Sequence, residues 1–195
     1  MDLNPALKLA EEDFKKTDIE SICRRTGAVI SGEQLTVRYL GHQYSFSIPD
    51  VRWNQEVPIR KKIIILHYLA RSKETVPAGN LIDFRDIPGG NLYYPVFEQR
   101  IHRRFLKRFG QDACSLYRSA RILDGDREDI SGCAAVVIRA FPRIPVHFVL
   151  YQGDDEVPSA CKVLFDASIT DYLSTEDIVV LCEDTVNELV LKAEK

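Results

Sequence analysis

The stretch Ala134–Tyr151, AAVVIRAFPRIPVHFVLY, decides the fold. Ala134 to Phe141 and Pro145 to Tyr151 are rich in Val, Ile and Phe, and the Pro142–Pro145 region separates them. Two β-branched and aromatic runs around a proline break predict a hairpin at the centre of a sheet. A second hairpin precedes it. Leu35, Val37 and Tyr39 alternate with polar residues, Gly41-His42-Gln43 supply the turn, and Tyr44, Phe46 and Ile48 alternate again before Pro49. Cys161 to Phe165 adds a short strand.

Helical periodicity surrounds these strands. Pro5 to Lys16 carries Ala6, Leu9, Ala10 and Phe14 at helical spacing, and Asp18 to Arg25 is a short helix stopped by Gly27. Pro58 opens a helix over Ile59–Arg71. Its residues Ile63, Ile64, Ile65, Leu66, Tyr68 and Leu69 are apolar nearly all round, which makes it central. Pro95 starts another helix, with Phe97, Ile101, Phe105 and Phe109 every four residues and Gly110 at its end. Asp112 begins the next, to about Leu123. Ser174-Thr175-Glu176-Asp177 is a capping box for a last helix to about Leu191. Its inner face is Ile178, Leu181, Cys182, Val186 and Leu189. Lys73–Asn80 and the acidic Asp124–Asp129 read as loops. Strands and helices come in blocks, so the expectation is α+β. It is one domain over residues 1–195, with a mainly antiparallel sheet of about five or six strands and helices packed around it.

Composition excludes several classes. Of 195 residues, 45% are hydrophobic and 28% charged, the balance of a globular chain with a sizeable core. No apolar run approaches the roughly 20 residues of a membrane helix. Met1-Asp2-Leu3-Asn4-Pro5 has no basic start before an apolar core, so a cytoplasmic location is expected. The five cysteines form no Cys-x-x-Cys pair, which predicts reduced, mostly buried thiols rather than disulfides or a zinc or iron–sulfur site. Net charge is −3, but it is unevenly spread. Pro58–Arg121 holds thirteen Lys and Arg against five acids; Asp154–Lys195 holds three against eleven. Mutual compensation between the two segments is the simplest consequence.

Three constellations could carry chemistry. The first is acidic: Asp154, Asp155, Glu156, Asp166, Glu176 and Asp177. Such carboxylates could converge on a hard cation or share acid–base work. They suit turns and a helix N-terminus equally well, and the spacing matches no calcium-binding loop. The second is Arg85 with Pro88-Gly89-Gly90 and Tyr93, where glycine amides and a guanidinium could hold an anion. A buried Arg85 paired with Asp155 or Asp166 is the more economical account. The third is the basic helix 95–109, with Arg100, His102, Arg103, Arg104, Lys107 and Arg108. It could follow a phosphate backbone, but its Phe97, Phe105 and Phe109 are spaced as core anchors, which disfavours nucleic acid. None of His42, His67, His102 and His147 has zinc-site spacing. His67 and His147 read as satisfied core histidines, and no metal ligand is assigned.

Several pieces taken together carry a resemblance. They are Leu66-His67-Tyr68-Leu69, Phe84-Arg85-Asp86-Ile87-Pro88-Gly89-Gly90 with Tyr93 and Pro95, Pro145–Gln152, Gly153–Pro158, Leu164–Ser168 and Tyr172–Asp177. They resemble the domain of unknown function 3786 family of anaerobic bacteria and archaea, over nearly the whole chain. That resemblance brings no established activity, and so no catalytic residues or cofactor. Some relatives look to be joined to a cysteine-rich iron–sulfur segment, which implies anaerobic redox or corrinoid-linked metabolism; this chain has no such cysteine cluster.

The expected function is a ligand- or partner-binding accessory protein of anaerobic metabolism. Arg85, Tyr93, Asp155, Glu156, Asp166 and Glu176 would share one hollow, between the arginine turn and the 153–177 segment. An enzyme using the carboxylates of 154–177, with or without a divalent metal, is the alternative. Nucleic-acid binding through helix 95–109 is the weaker one. Catalytic residues, cofactor, the small-molecule or protein partner and oligomeric state stay open.

Overall fold

The computed structural model describes residues 2–154 and 156–194. The strands are antiparallel and form two sheets, and with the helices they make an α+β fold. The first holds β1 (Val29–Ser31), β2 (Gln34–Tyr39), β3 (His42–Ser47) and β4 (Arg52–Trp53) in that order. The second is built from β5 (Leu81–Asp83), β6 (Asp126–Glu128), β7 (Ala134–Phe141), β8 (Ile144–Tyr151) and β9 (Ala160–Asp166). Its order is β5-β9-β8-β7-β6, so the β7–β8 hairpin is central as its sequence predicts. Val136 faces Phe148 and Val137 faces His147 in its register.

One sheet of five or six strands was the expectation; among the described residues there are nine strands in two sheets, the larger of five. The extra strands are β1, β4, β5 and β6, of two or three residues each, too short to show alternation. Strand β6 replaces the predicted loop at 124–129. Its backbone pairs Asp126 with Val137 and Arg127 with Val136. Charged side chains there suit an edge strand, which must resist further pairing.

The sheets meet through an aromatic stack. Tyr39 of β2 stacks on Phe141 of β7 at 4.6 Å, and Tyr68 stacks on the same ring at 4.0 Å. The Leu40 amide donates to the Ala140 carbonyl at 2.9 Å. Leu40 and Gly41 both have positive φ, 50° and 77°, so the β2–β3 turn is the tight two-residue type, and His42 already belongs to β3.

Among the described residues, seven α-helices surround the sheets: α1 (Asn4–Lys15), α2 (Ile19–Thr26), α3 (Ile59–Arg71), α4 (Gly90–Phe97), α5 (Arg103–Phe109), α6 (Ala113–Ile122) and α7 (Thr175–Ala193). One apolar cluster runs through both sheets and these helices. Leu9 of α1 departs from its expected inward position and is exposed; Ala10 and Phe14 carry that helix's buried face.

The helix expected to start at Pro95 begins earlier, at Gly90, and Pro95 lies inside it. A π turn over Glu98–His102 then joins α4 to α5. The turn explains the four-residue aromatic spacing. On a straight α-helix, four-residue steps drift by roughly 40° each. The wider π turn absorbs part of that drift, and Phe97, Ile101, Phe105 and Phe109 are all fully buried.

Candidate functional site

The five predicted site residues that the structure describes do not share one hollow. Arg85 is exposed rather than buried. Its Nε donates to Asp83 at 3.2 Å, and its guanidinium lies over the Tyr94 ring at 4.8 Å. Nearby Asp83 satisfies it, so the expected pairing with Asp166 does not form.

Asp166 is committed elsewhere. It accepts from the amides of Ala78, Gly79 and Ser168 at 2.8–2.9 Å and from the Ser168 hydroxyl at 2.5 Å. Burial pushes its pKa up, but these donors outweigh burial and bring it down to about 2. The residue caps a 3₁₀ turn and ties down the 73–80 loop. Glu156 lies in an exposed turn, where its amide and that of Val157 donate to Asp154. Asp155 lies outside the described residues. Among the described residues, no group of three or more His, Cys, Asp or Glu is arranged to hold a metal ion.

Tyr93 and Glu176 do come together. The Tyr93 hydroxyl donates to Glu176 at 2.8 Å, at one end of a groove of about 670 Å³ between α3, α4 and α7. Ile63, Val96, Val179 and Val180 line its middle, and Leu3 and Ala6 of α1 close one side. His67 and Asp177 sit at the Tyr93 end, Arg60 and Arg100 at the other.

The Ser174 N-cap of α7 places the acids, without the reciprocal backbone bond of a full capping box. The Ser174 hydroxyl donates to Asp177 Oδ2 at 2.7 Å, and the Asp177 amide returns to Ser174 Oγ at 3.2 Å. This fixes Asp177 in the first turn of α7, where its Oδ1 meets His67 Nδ1 at 2.8 Å. Burial pushes the Asp177 carboxyl up; His67, Ser174 and Arg71 outweigh burial and hold it below the ordinary range. In a neutral imidazole, a carboxylate at Nδ1 favours the proton there and leaves Nε2 as an acceptor.

At the far end, Arg60 donates to Glu183 at 2.7 Å and lies 3.5 Å from Asp184. Arg100 reaches the same Glu183 oxygen at 3.6 Å. Asp184 is buried and accepts from Tyr39 at 2.9 Å. Its carboxyl is raised by burial, against the pull of Arg60 and Tyr39. These pairs realise the compensation expected between the basic and acidic segments, and Lys61 with Glu188 adds another at 2.8 Å.

The sequence profile of the family described as Domain of unknown function (DUF3786) matches residues 18–188. The chain belongs to this family. No curated protein and no solved structure matches the chain. The family segment contains every groove residue from α3, α4 and α7, while Leu3 and Ala6 lie before it. No described helix is long and apolar enough to cross a membrane.

Arg60, Ile63, His67 and Val96 line the groove without having been expected there, and Arg100 and Asp177 were named only within the basic helix and the acidic constellation. A usable signal was present. Arg60-Ile63-His67 and Tyr93-Val96-Arg100 are both spaced i, i+3, i+7, which places each set on one helix face. On the basic helix, Arg103, Arg104 and Lys107 are exposed, Arg108 bonds Ser115 and the Ala193 carbonyl, and Arg100 turns to the groove.

Proposed function

We propose that this protein is a binding module whose α3–α4–α7 groove takes a small, largely apolar molecule, as an accessory of the anaerobic metabolism that the family resemblance implies. One observation carries the reading. A groove of drug-sized volume has an apolar middle and a few convergent polar groups, the ordinary build of a small-molecule site. Its polar groups come from three helices and not from a loop, so they are held without a ligand to order them.

Titration with the neutral fluorophore N-phenylnaphthylamine tests this. Saturable fluorescence enhancement is expected, and Ile63→Trp should remove it by filling the middle of the groove. No saturable enhancement, or enhancement undiminished in a natively folded Ile63→Trp, overturns the reading.

The His67–Asp177 pair favours a second reading, an enzyme in which His67 accepts a proton from a bound substrate. It requires the proton of neutral His67 on Nδ1. Nitrogen-15 NMR showing the proton on Nε2 instead would remove it.

A further inference from the structure

Each of the three groove helices carries a polar residue at either end of a two-turn interval, with apolar residues between. On α3 these are Arg60 and His67 around Ile63, and on α4 and the π turn Tyr93 and Arg100 around Val96. On α7 they are Glu176 and Glu183 around Val179 and Val180. Seven residues of helix span roughly 10 Å. The pairings set the helix directions: His67 meets Asp177 while Arg60 meets Glu183, and Tyr93 meets Glu176 while Arg100 meets Glu183. One end therefore gathers His67, Tyr93 and Glu176, and the other gathers two arginines.

The ends differ in what they lack. Each guanidinium brings five N–H donors. At the arginine end the two share the Glu183 carboxylate, and Arg60 Nε is buried with no hydrogen-bond partner among the described residues. Asp184 is the other nearby acid, 3.5 Å from Arg60, and one of its oxygens is already taken by the Tyr39 hydroxyl. That end is rich in donors and short of anionic acceptors. At the opposite end, Glu176 accepts one bond from Tyr93, and His67 Nε2 has no partner among the described residues. That end is rich in acceptors.

We propose that the groove takes an extended molecule with an anionic group at the Arg60–Arg100 end, an apolar middle, and a hydrogen-bond donor such as an amine or hydroxyl at the His67–Glu176 end. This rests on the groove being a binding site and adds the polarity of what it binds. An anion there completes the arginines' donors by charge-assisted hydrogen bonds, while a donor at the far end meets Glu176 and His67 Nε2.

Displacement of N-phenylnaphthylamine by octanol, octanoate and ω-aminooctanoate reads the two ends separately. Octanoate should displace the probe at about tenfold lower concentration than octanol, the size of one good charge-assisted contact. The ω-amino group should add a further gain. Arg100→Gln, at an exposed position, should abolish octanoate's advantage over octanol, both read against the variant's own affinity for the probe. Glu176→Gln should abolish only the gain from the amino group. Equal displacement by octanol and octanoate overturns the proposal. So does an octanoate preference that survives Arg100→Gln, or a bound probe that none of the three displaces. Failure of the probe itself to bind the wild-type protein counts instead against the groove as a binding site.

Discussion

His67 Nδ1 lies 2.8 Å from Asp177 Oδ1, although 110 positions separate the two residues in the chain. This contact fixes α7 against α3 at one end of the groove, and the other carboxylate oxygen accepts from the Ser174 hydroxyl that caps α7. The same carboxylate braces a helix cap and orients a histidine.

That double duty makes Asp177 a pH-sensitive contributor to stability. Its partners hold its pKa below the ordinary value despite burial, so the folded chain binds this proton less tightly than the unfolded chain. The carboxylate stabilises above the unfolded value of about 3.9, and its contribution is lost as pH falls through the lowered folded value. Asp177→Asn should cost about 1–3 kcal/mol near neutral pH. In urea denaturation the gap from wild type should close only below about pH 4. A gap that stays constant into stronger acid would show that the charge contributes nothing.

Tyr39→Phe probes an acid shifted the opposite way. Tyr39 donates to Asp184, both are buried, and the Asp184 carboxyl is raised by burial. The folded chain holds this proton more tightly, so stability from Asp184 is full below its unfolded value and is lost as pH rises through the folded one. Removing the hydroxyl leaves a buried carboxylate oxygen without its donor, for a loss of about 1–3 kcal/mol near neutral pH. As pH falls, that gap should begin to close at higher pH than the Asp177 gap. Coincident pH profiles for the two variants would refute the assignment.

The aromatic hairpin Ala134–Tyr151, the α3 helix and the α7 N-cap were legible because each carries a full period of its pattern in consecutive residues. The two-residue β4 and three-residue β6 were not, because they exist through pairing with Phe46 and with Val137 rather than through their own composition. At the site, Tyr93 and Glu176 were singled out and do meet, whereas Arg85 pairs with Asp83 and not with Asp166. A long-range acid cannot compete with Asp83, two residues away and already placed by its own turn. His67 read as core because its neighbours are apolar nearly all round; only its i+7 relation to Arg60 points to the groove.

The π turn is a register device. The turn absorbs one extra residue, so Phe105 still reaches β8 and Phe109 the core after Phe97 and Ile101 have faced inward. Inserting an Ala after Gln99 adds a residue beyond the one the turn absorbs and rotates everything after it by roughly 100°. Phe105, stacked on Phe148 at 5.3 Å, would leave the core. Exposing one such ring costs about 3–5 kcal/mol, and two are affected, so the insertion variant should not fold cooperatively. Deleting Gln99 instead restores regular helix with both rings on the same face, and that variant should still melt cooperatively. An insertion variant with a native melting transition would show that the register of this helix is incidental.

Gly89 and Gly90 are needed for different reasons, and substitution separates them. Gly89 has φ of 75°, and a β-carbon there would meet nothing within 4 Å. Its replacement by Ala pays only for the left-handed backbone, about 1–2 kcal/mol. Gly90 begins α4 with an ordinary negative φ, but a β-carbon there would stand 2.0 Å from the Phe84 carbonyl oxygen and 3.1 Å from Ile87 Cγ1. Backbone must move to admit it. Because Tyr93 hangs from the first turn of this helix, that displacement reaches the groove. Gly90→Ala should therefore cost more stability than Gly89→Ala and should also weaken N-phenylnaphthylamine binding. Gly89→Ala should leave the probe's affinity intact. Equal losses in the two variants, by thermal melting and by probe titration, would mean that conformation alone, and not the close approach of Phe84, selects glycine at both positions.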